Sequence, residues 1–204
     1  MLLNNMNRIL ISIVTIFITF STYAKECDYS ATEIKQLNIQ QLTLCAQSNP
    51  KHQNYLGTLY ATGKRVPKNM KKAFYYFSLA AKNNFPGGMF NLGNMYRRGL
   101  GVSQNYNKAF YLFYKSAKLG YVSAQHNLGF MYGNGFGTQK NLTLSYAWFY
   151  VGMQQGYAAS FHNANALLGK LSKKEFFDGI RLGKKFYLQY AIKSTKPPVS
   201  PEMI

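Results

Sequence analysis

The sequence predicts an all-α protein, an α/α superhelical solenoid of about four helix-pair repeats with capping helices at both ends. The first observation behind this prediction is a motif that recurs every 36 residues, at positions 56–63, 92–99 and 128–135. Each copy has Leu-Gly, then Tyr three residues later, then Gly after three more. A fixed period of this length is the sequence signature of a stacked repeat protein.

The second observation is the kind of residue found at the ends of the predicted helices. A glycine closes the first helix of each unit, because glycine adopts left-handed backbone at little cost. An asparagine precedes the second helix, where its side chain can cap free backbone N–H groups. These residues are Gly63, Gly99 and Gly135, and Asn69, Asn105 and Asn141.

The third observation is a glycine inside the first helix of each unit. Gly57, Gly93 and Gly129 follow the Leu of the motif. A glycine in mid-helix costs about 0.5–1 kcal/mol relative to alanine. Its recurrence at the same place therefore predicts that a neighbouring helix approaches closely there.

The repeats divide the chain into five predicted segments. These are a signal peptide at 1–24, an N-terminal capping segment at 25–50, three repeats at 51–159, a divergent repeat with a C-terminal capping helix at 160–192, and a disordered tail at 193–204. Ser30 with Glu33, and Ser172 with Glu175, have the spacing of a capping box. They predict the starts of the two capping helices.

The N-terminal segment has the order of a secretory signal peptide. Arg8 precedes an apolar run at 9–20, and Ala24 ends a short stretch that contains small residues. The alternative is a membrane anchor, but a spanning helix needs about 20 apolar residues. We therefore expect an exported protein, periplasmic or secreted, with no transmembrane span after cleavage.

The two cysteines, Cys27 and Cys45, both follow the predicted cleavage site. In an oxidising compartment they can form one intramolecular disulfide bond. A metal or redox site is the alternative, but no His or third Cys stands near them at a ligand spacing. A disulfide that fastens the N-terminal segment to the first repeat is the prediction.

The chain is strongly basic, with a formal net charge of +18. No Asp or Glu lies between Ile34 and Lys174, whereas 17 Lys or Arg residues do. One interpretation is a solvated basic surface without a specific role. The other is an anionic partner, because an unneutralised surface attracts polyanions. In an exported protein such a partner is an acidic protein, a lipid head group or an envelope polymer, and nucleic acid is not expected.

Motifs for catalysis or for a cofactor are absent from the sequence. His126 and His162 lie one period apart, but two histidines without further ligands make a poor metal site. General acid–base catalysis needs a positioned carboxylate or an activated histidine. The prediction is a protein that is not an enzyme and that holds no metal and no cofactor.

The pattern Leu-Gly-x-x-Tyr-x-x-Gly-x-Gly, followed by Lys-Ala and an aromatic helix, resembles the Sel1-like repeat (SLR) family, whose units are related to tetratricopeptide repeats. The match is best at residues 92–119 and extends over about 52–191. The family commonly has Asp where this chain has Asn69, Asn105 and Asn141. Asn caps a helix about as well as Asp, so only the negative charge is lost.

The resemblance implies a scaffold whose concave face, lined by the first helix of each unit, holds a protein or peptide. Residues on that helix outside the core are the candidate contacts. They are Asn91, Asn94, Gln125, Asn127, Phe130 and Asn163. Asn91, Asn127 and Asn163 recur at the same position of successive units, and such amides can bind an extended peptide backbone. The alternative is that they form structural hydrogen bonds between helices.

Two functions therefore compete. The first is an exported scaffold or adaptor that binds a protein partner through its concave face, in envelope complexes or in contact with host cells. The second is a basic surface protein that binds anionic envelope polymers or lipid head groups. Only the second predicts binding that falls steeply with salt.

Overall fold

The computed structural model describes residues 27–30 and 32–191, so the predicted signal peptide and C-terminal tail lie outside the described residues. Within these residues the protein is all-helical, with nine α-helices and one 3-10 turn and no strand. The helices are α1 Ile39–Cys45, α2 Pro50–Thr62, α3 Met70–Lys82, α4 Pro86–Arg98, α5 Tyr106–Lys118, α6 Val122–Asn134, α7 Leu142–Gln154, α8 Ala158–Leu168 and α9 Lys173–Tyr190. The predicted fold class is confirmed.

The helices stack in chain order. Helices α2 and α3, α4 and α5, and α6 and α7 form hairpins, and the second helix of each hairpin packs on the first helix of the next. Two pairs of successive first helices, α2 with α4 and α6 with α8, approach one another more closely than successive second helices do. The stack therefore curves, with α2, α4, α6 and α8 on its concave side. We call these four the inner helices, and α3, α5 and α7 the outer helices.

The glycine after each Leu lies against an aromatic ring of its own unit. A Cβ atom built on Gly93 would lie 2.8 Å from Cε1 of Phe113. Gly57 faces Phe77 and Gly129 faces Phe149 in the same way. The predicted close approach is confirmed, and its cause is a phenylalanine that crosses the inner helix at the place where a side chain is missing.

The helix ends also form as predicted. Gly63, Gly99 and Gly135 have φ values of 75°, 67° and 74°, in the left-handed region. The side chains of Asn69, Asn105 and Asn141 each accept a hydrogen bond from the backbone N–H three residues on.

The N-terminal capping segment is fastened to the first unit at several points. Cys27 and Cys45 form a disulfide bond, as predicted. Asn49 Nδ2 donates to the Cys27 carbonyl at 3.0 Å, and the Arg65 guanidinium donates to the carbonyls of Lys35 and Leu37.

The capping-box pattern at Ser30 suggested that this segment is one continuous helix. The structure shows instead a short turn followed by a separate helix. Ser30 and Glu33 do exchange the expected hydrogen bonds, but they introduce only the 3-10 turn Glu33–Lys35. The α-helix begins later because Asn38 forms a second capping box with Gln41.

The last helix, α9, packs on the outer helix α7 and barely on α8, so α8 and α9 do not repeat the earlier hairpins. Gly183 faces the ring of Tyr150, which lets the two helix backbones approach. The Trp148 ring stacks on Phe186 at a centroid distance of 4.8 Å and on Tyr190 at 5.8 Å. Helix α9 thus covers apolar side chains on the outer surface of the third unit.

Candidate partner-binding groove

The concave face carries a ladder of amides, formed by Asn91, Asn127 and Asn163, each of which joins its inner helix to the preceding one. Asn91 Nδ2 donates to Asn54 Oδ1 at 2.8 Å, and Asn127 Nδ2 lies 3.4 Å from Asn94 Oδ1. Asn163 Nδ2 lies 3.5 Å from His126 Nε2. These contacts support the structural interpretation of the ladder, which draws the inner helices together.

The same amides have donors and acceptors that these contacts do not use. A primary amide offers two N–H donors and one carbonyl acceptor, and each contact above uses a single N–H. Among the described residues the side-chain oxygens of Asn91, Asn127 and Asn163 accept no hydrogen bond, and none of them is a buried atom without a partner. These oxygens are therefore not fully buried, and the ladder can serve both helix packing and binding.

Gln125 does not belong to this surface. It is 0% exposed, its Nε2 donates to the Ala117 carbonyl at 3.2 Å, and its Oε1 accepts from Gln155 Nε2 at 2.6 Å. The prediction that Gln125 contacts a partner is wrong, because the amide satisfies buried backbone between units. The sequence held a signal for this, since the equivalent residue one period earlier is the apolar Met89. Met89 is also buried.

Arg97 is a residue of the concave face that the sequence analysis did not single out. Its side chain is half-buried at the end of α4, and one guanidinium nitrogen lies 3.4 Å from Asn94 Oδ1. Its Nε is buried and finds no hydrogen-bond partner among the described residues. Burial, followed by the nearby charge of Arg98, lowers the pKa of Arg97. Arg97 thus places a positive charge beside the ladder.

A cleft of about 240 Å³ opens between α6, the start of α7 and the end of α8. It brings together two residues predicted from the sequence, Phe130 and Asn163. Other residues of its wall and rim are Asn134, Lys140, Leu142 and Lys170. We call it the terminal cleft, because it lies where the amide ladder ends.

A histidine and a serine contact each other between two of the inner helices. His126 Nδ1 lies 3.1 Å from Ser160 Oγ, but Ser160 is 0% exposed, so its hydroxyl cannot reach a substrate. The pair instead ties α6 to α8. Residues 27–30 and 32–191 contain no group of three or more His, Cys, Asp or Glu side chains that could hold a metal ion. Nor does any helix in these residues have the length and apolarity needed to cross a membrane.

Comparison with known structures agrees with this architecture. The chain is similar to a protective antigen present in uropathogenic Escherichia coli strains, which displays an SLR fold, with 26% identity and a TM-score of 0.71. It is also similar to a Sel1 repeat protein from Oxalobacter formigenes, with 28% identity and a TM-score of 0.61. These similarities cover 80% and 70% of this chain, but only 38% and 62% of the two relatives. No curated protein matches the sequence significantly.

The sequence profile of the Sel1 repeat matches three consecutive stretches, residues 52–85, 86–121 and 122–157. These are the units formed by α2 with α3, α4 with α5, and α6 with α7, and together they make up more than half of the chain. The protein therefore belongs to the Sel1 repeat family.

Proposed function

We propose that this protein is an exported, non-catalytic scaffold that binds a protein or peptide partner along its concave face. Sel1 repeat proteins generally mediate protein–protein interactions. The observation that carries the proposal is the amide ladder, whose carbonyl oxygens accept no hydrogen bond within the described residues and are not fully buried, although one N–H of each amide already joins the inner helices.

An extended peptide suits such a ladder. Its backbone N–H groups can donate to the free oxygens of Asn91 and Asn127, and its carbonyls can accept from the second N–H of each amide. Because the inner helices already hold these side chains in place, little rotamer freedom is lost on binding, and preorganised groups bind more tightly for that reason.

Export is supported by the disulfide bond, since such bonds form and persist in oxidising compartments. It agrees with the signal-peptide pattern at 1–24. The place of action is the cell envelope or the surroundings of the cell.

Site-specific photo-cross-linking in cells tests the scaffold. A photoreactive phenylalanine analogue at Asn94, on the concave face, is expected to form cross-links with a defined protein. The same analogue at Tyr111, which is 55% exposed on the outer helix α5, is the matched control. Cross-links from Tyr111 alone, or equally from both positions, would contradict a concave binding face.

The outer surface supports a second candidate, binding to anionic envelope components. Lys115 Nζ lies 4.8 Å from the centre of the Tyr111 ring, and Lys118 Nζ lies 5.3 Å from that of Tyr114. The one ion pair in the described part of the chain is Arg181 with Asp178. The lysines of α5 are thus left to interact with aromatic rings and solvent.

Vesicle binding, and its loss in an outer-surface variant, separates the two candidates. If the outer surface is the binding site, co-sedimentation with phosphatidylglycerol vesicles falls steeply between low and physiological salt. The pair Lys115→Gln and Lys118→Gln then abolishes it. Sedimentation that is absent at low salt, or unchanged in this variant, would contradict binding through the lysines of α5.

A further inference from the structure

We propose that the terminal cleft receives an acidic side chain of the bound peptide, so that the partner of this protein is an acidic segment. This inference rests on the proposed concave-face scaffold and adds to it the chemical class of the partner and the point at which the partner is anchored.

The cleft differs at two positions from the equivalent place between the second and third units. Arg97 of the second unit corresponds to Gly133 of the third, and Phe130 of the third unit corresponds to Ala166 of the fourth. Arg97 and Phe130 are half-buried between their units, whereas Gly133 and Ala166 leave that space open and line the cleft. At both positions the cleft therefore has a small residue where the equivalent place has a large one.

The rim of the cleft is positively charged. Lys140, just before α7, and Lys170, just after α8, both line it and are both exposed. No carboxylate side chain lies within residues 34–174 to neutralise them. The nearest one along the chain, Glu175, is held by the backbone N–H and the hydroxyl of Ser172. The two ammonium groups are thus available to a carboxylate from outside.

The cleft has both apolar and polar side chains in its lining. Phe130, Leu142 and Phe149 contribute to it, and the polar Ser145 is already satisfied by its bond to the Gly129 carbonyl at 2.8 Å. Apolar side chains beside two lysines match a glutamate, whose methylene groups can pack on the former while its carboxylate meets the latter.

The size of the cleft favours one side chain over a free small molecule. Its volume of about 240 Å³ lies below the roughly 300–1,000 Å³ that is usual for small-molecule pockets. Asn163, the last amide of the ladder, stands in its wall. A peptide that follows the ladder therefore arrives at the cleft in a position to insert one residue.

A library of random heptapeptides displayed on phage, selected on the whole protein, tests the proposal. The selected peptides are expected to share Glu or Asp next to an apolar residue. A synthetic peptide from this set should lose about tenfold or more in affinity when its acidic residue is changed to Gln, as is usual for a charged hydrogen-bonded partner.

Two variants then place the binding site. Ala166→Phe fills the cleft with the residue that stands one unit earlier, and affinity should fall about tenfold or more because the pocket is closed. The pair Lys140→Gln and Lys170→Gln should weaken binding about three- to tenfold and flatten its salt dependence. Lys115→Gln with Lys118→Gln, on the outer surface, is the matched control and should bind as the unaltered protein does.

Circular dichroism and melting temperature show whether each variant is folded. If Ala166→Phe unfolds, the exposed lysine pair carries the test alone. Selected peptides without an acidic preference, or full affinity in a folded cleft variant, would overturn the proposal. The proposal would also be overturned if the protein bound phosphatidylglycerol vesicles but no peptide, and if a cleft variant lost that vesicle binding.

The outcome also separates this proposal from the scaffold on which it rests. If Asn127→Ala weakens peptide binding while both cleft variants bind normally, the cleft is not the anchor but the concave face still binds. If no substitution on the inner helices affects binding, both proposals fail.

Discussion

A single missing side chain sets the distance between the two helices of each unit. Gly93 lies under the ring of Phe113, and a Cβ atom there would be 2.8 Å from the ring. Phe113 is itself fully buried in the core of the second and third units, so it has no free space to move into.

Gly93→Val should lower the free energy of unfolding by about 1–3 kcal/mol, because the valine overpacks the contact with Phe113. Thermal or urea unfolding measures the change. Gly169→Ala is the control, since nothing lies within 4 Å of a Cβ atom at Gly169. Equal stability of the two variants would contradict the close-contact explanation.

His52 is a buried histidine whose ring nitrogens have no hydrogen-bond partner in the described part of the chain, and we expect it to make the protein sensitive to acid. It is 0% exposed beneath the N-terminal segment, with its ring 6.0 Å from that of Tyr29. Burial first, and the charge of Lys51 second, lower the pKa of His52, against a smaller opposing effect of Asp28. The unfolded chain, with a histidine pKa of about 6.5, therefore takes up this proton at a higher pH than the folded protein does.

The free energy of unfolding should consequently fall as the pH drops below about 6.5, and His52→Leu should reduce that fall. Urea unfolding at pH 7.5 and pH 5 measures both proteins. Part of the pH dependence should remain in the variant, because burial also lowers the pKa of His126. An equal loss of stability in the two proteins would show that His52 is not responsible.

At the scale of the element, helix α9 is the part that departs most from the repeat. Its Phe186 and Tyr190 stack on Trp148, the only tryptophan of the chain. Trp148 is 2% exposed, and its fluorescence therefore reports whether α9 is in place.

Phe186→Ala should destabilise the protein by about 2 kcal/mol or more and shift the Trp148 emission to longer wavelength, because it opens the stack to water. Leu188→Ala is the control on the same helix, since Leu188 is 84% exposed. An emission maximum that is unchanged in a folded Phe186→Ala protein would contradict the docking of α9 on Trp148.

The structures of the two ends of the solenoid could be predicted from the sequence only in part. The capping boxes at Ser30 and Ser172 are both present, yet only that of Ser172 introduces a long α-helix. The α-helix that follows begins at a second capping box, formed by Asn38. The local sequence pattern did not show that this second box, and not the one at Ser30, begins the α-helix. The docking of α9 on α7 depends on tertiary packing around Trp148 and has no local signature.

For the whole molecule, the period of 36 residues was sufficient to predict the repeats, because each unit reuses the same contacts. The glycine beneath Phe113 and the cap at Asn105 follow from chemistry that the sequence shows directly. The binding face was harder to predict, since a polar residue on an inner helix can face either a partner or a neighbouring helix. Gln125 faces a neighbouring helix, and Arg97 was overlooked among many other cations.

The net positive charge of the whole molecule bears on the kind of partner that it attracts. With no carboxylate side chain in residues 34–174, we expect the concave and outer faces both to attract anionic groups. The concave face adds fixed amides and a cleft of defined size, and these provide selectivity for one shape of ligand. The outer surface offers charge and exposed aromatic rings without such a cleft.

The most direct test of the account is a comparison of binding and stability in Asn127→Ala. We expect Asn127→Ala to lose more free energy of binding to a selected acidic peptide than free energy of unfolding. The amide contributes to binding and to stability, but the bound peptide depends on it more than the fold does. Gln189→Ala, an exposed amide on α9, should change neither quantity. Full peptide affinity in a folded Asn127→Ala protein, or a loss of binding no larger than the loss of stability, would contradict the concave face as the binding site.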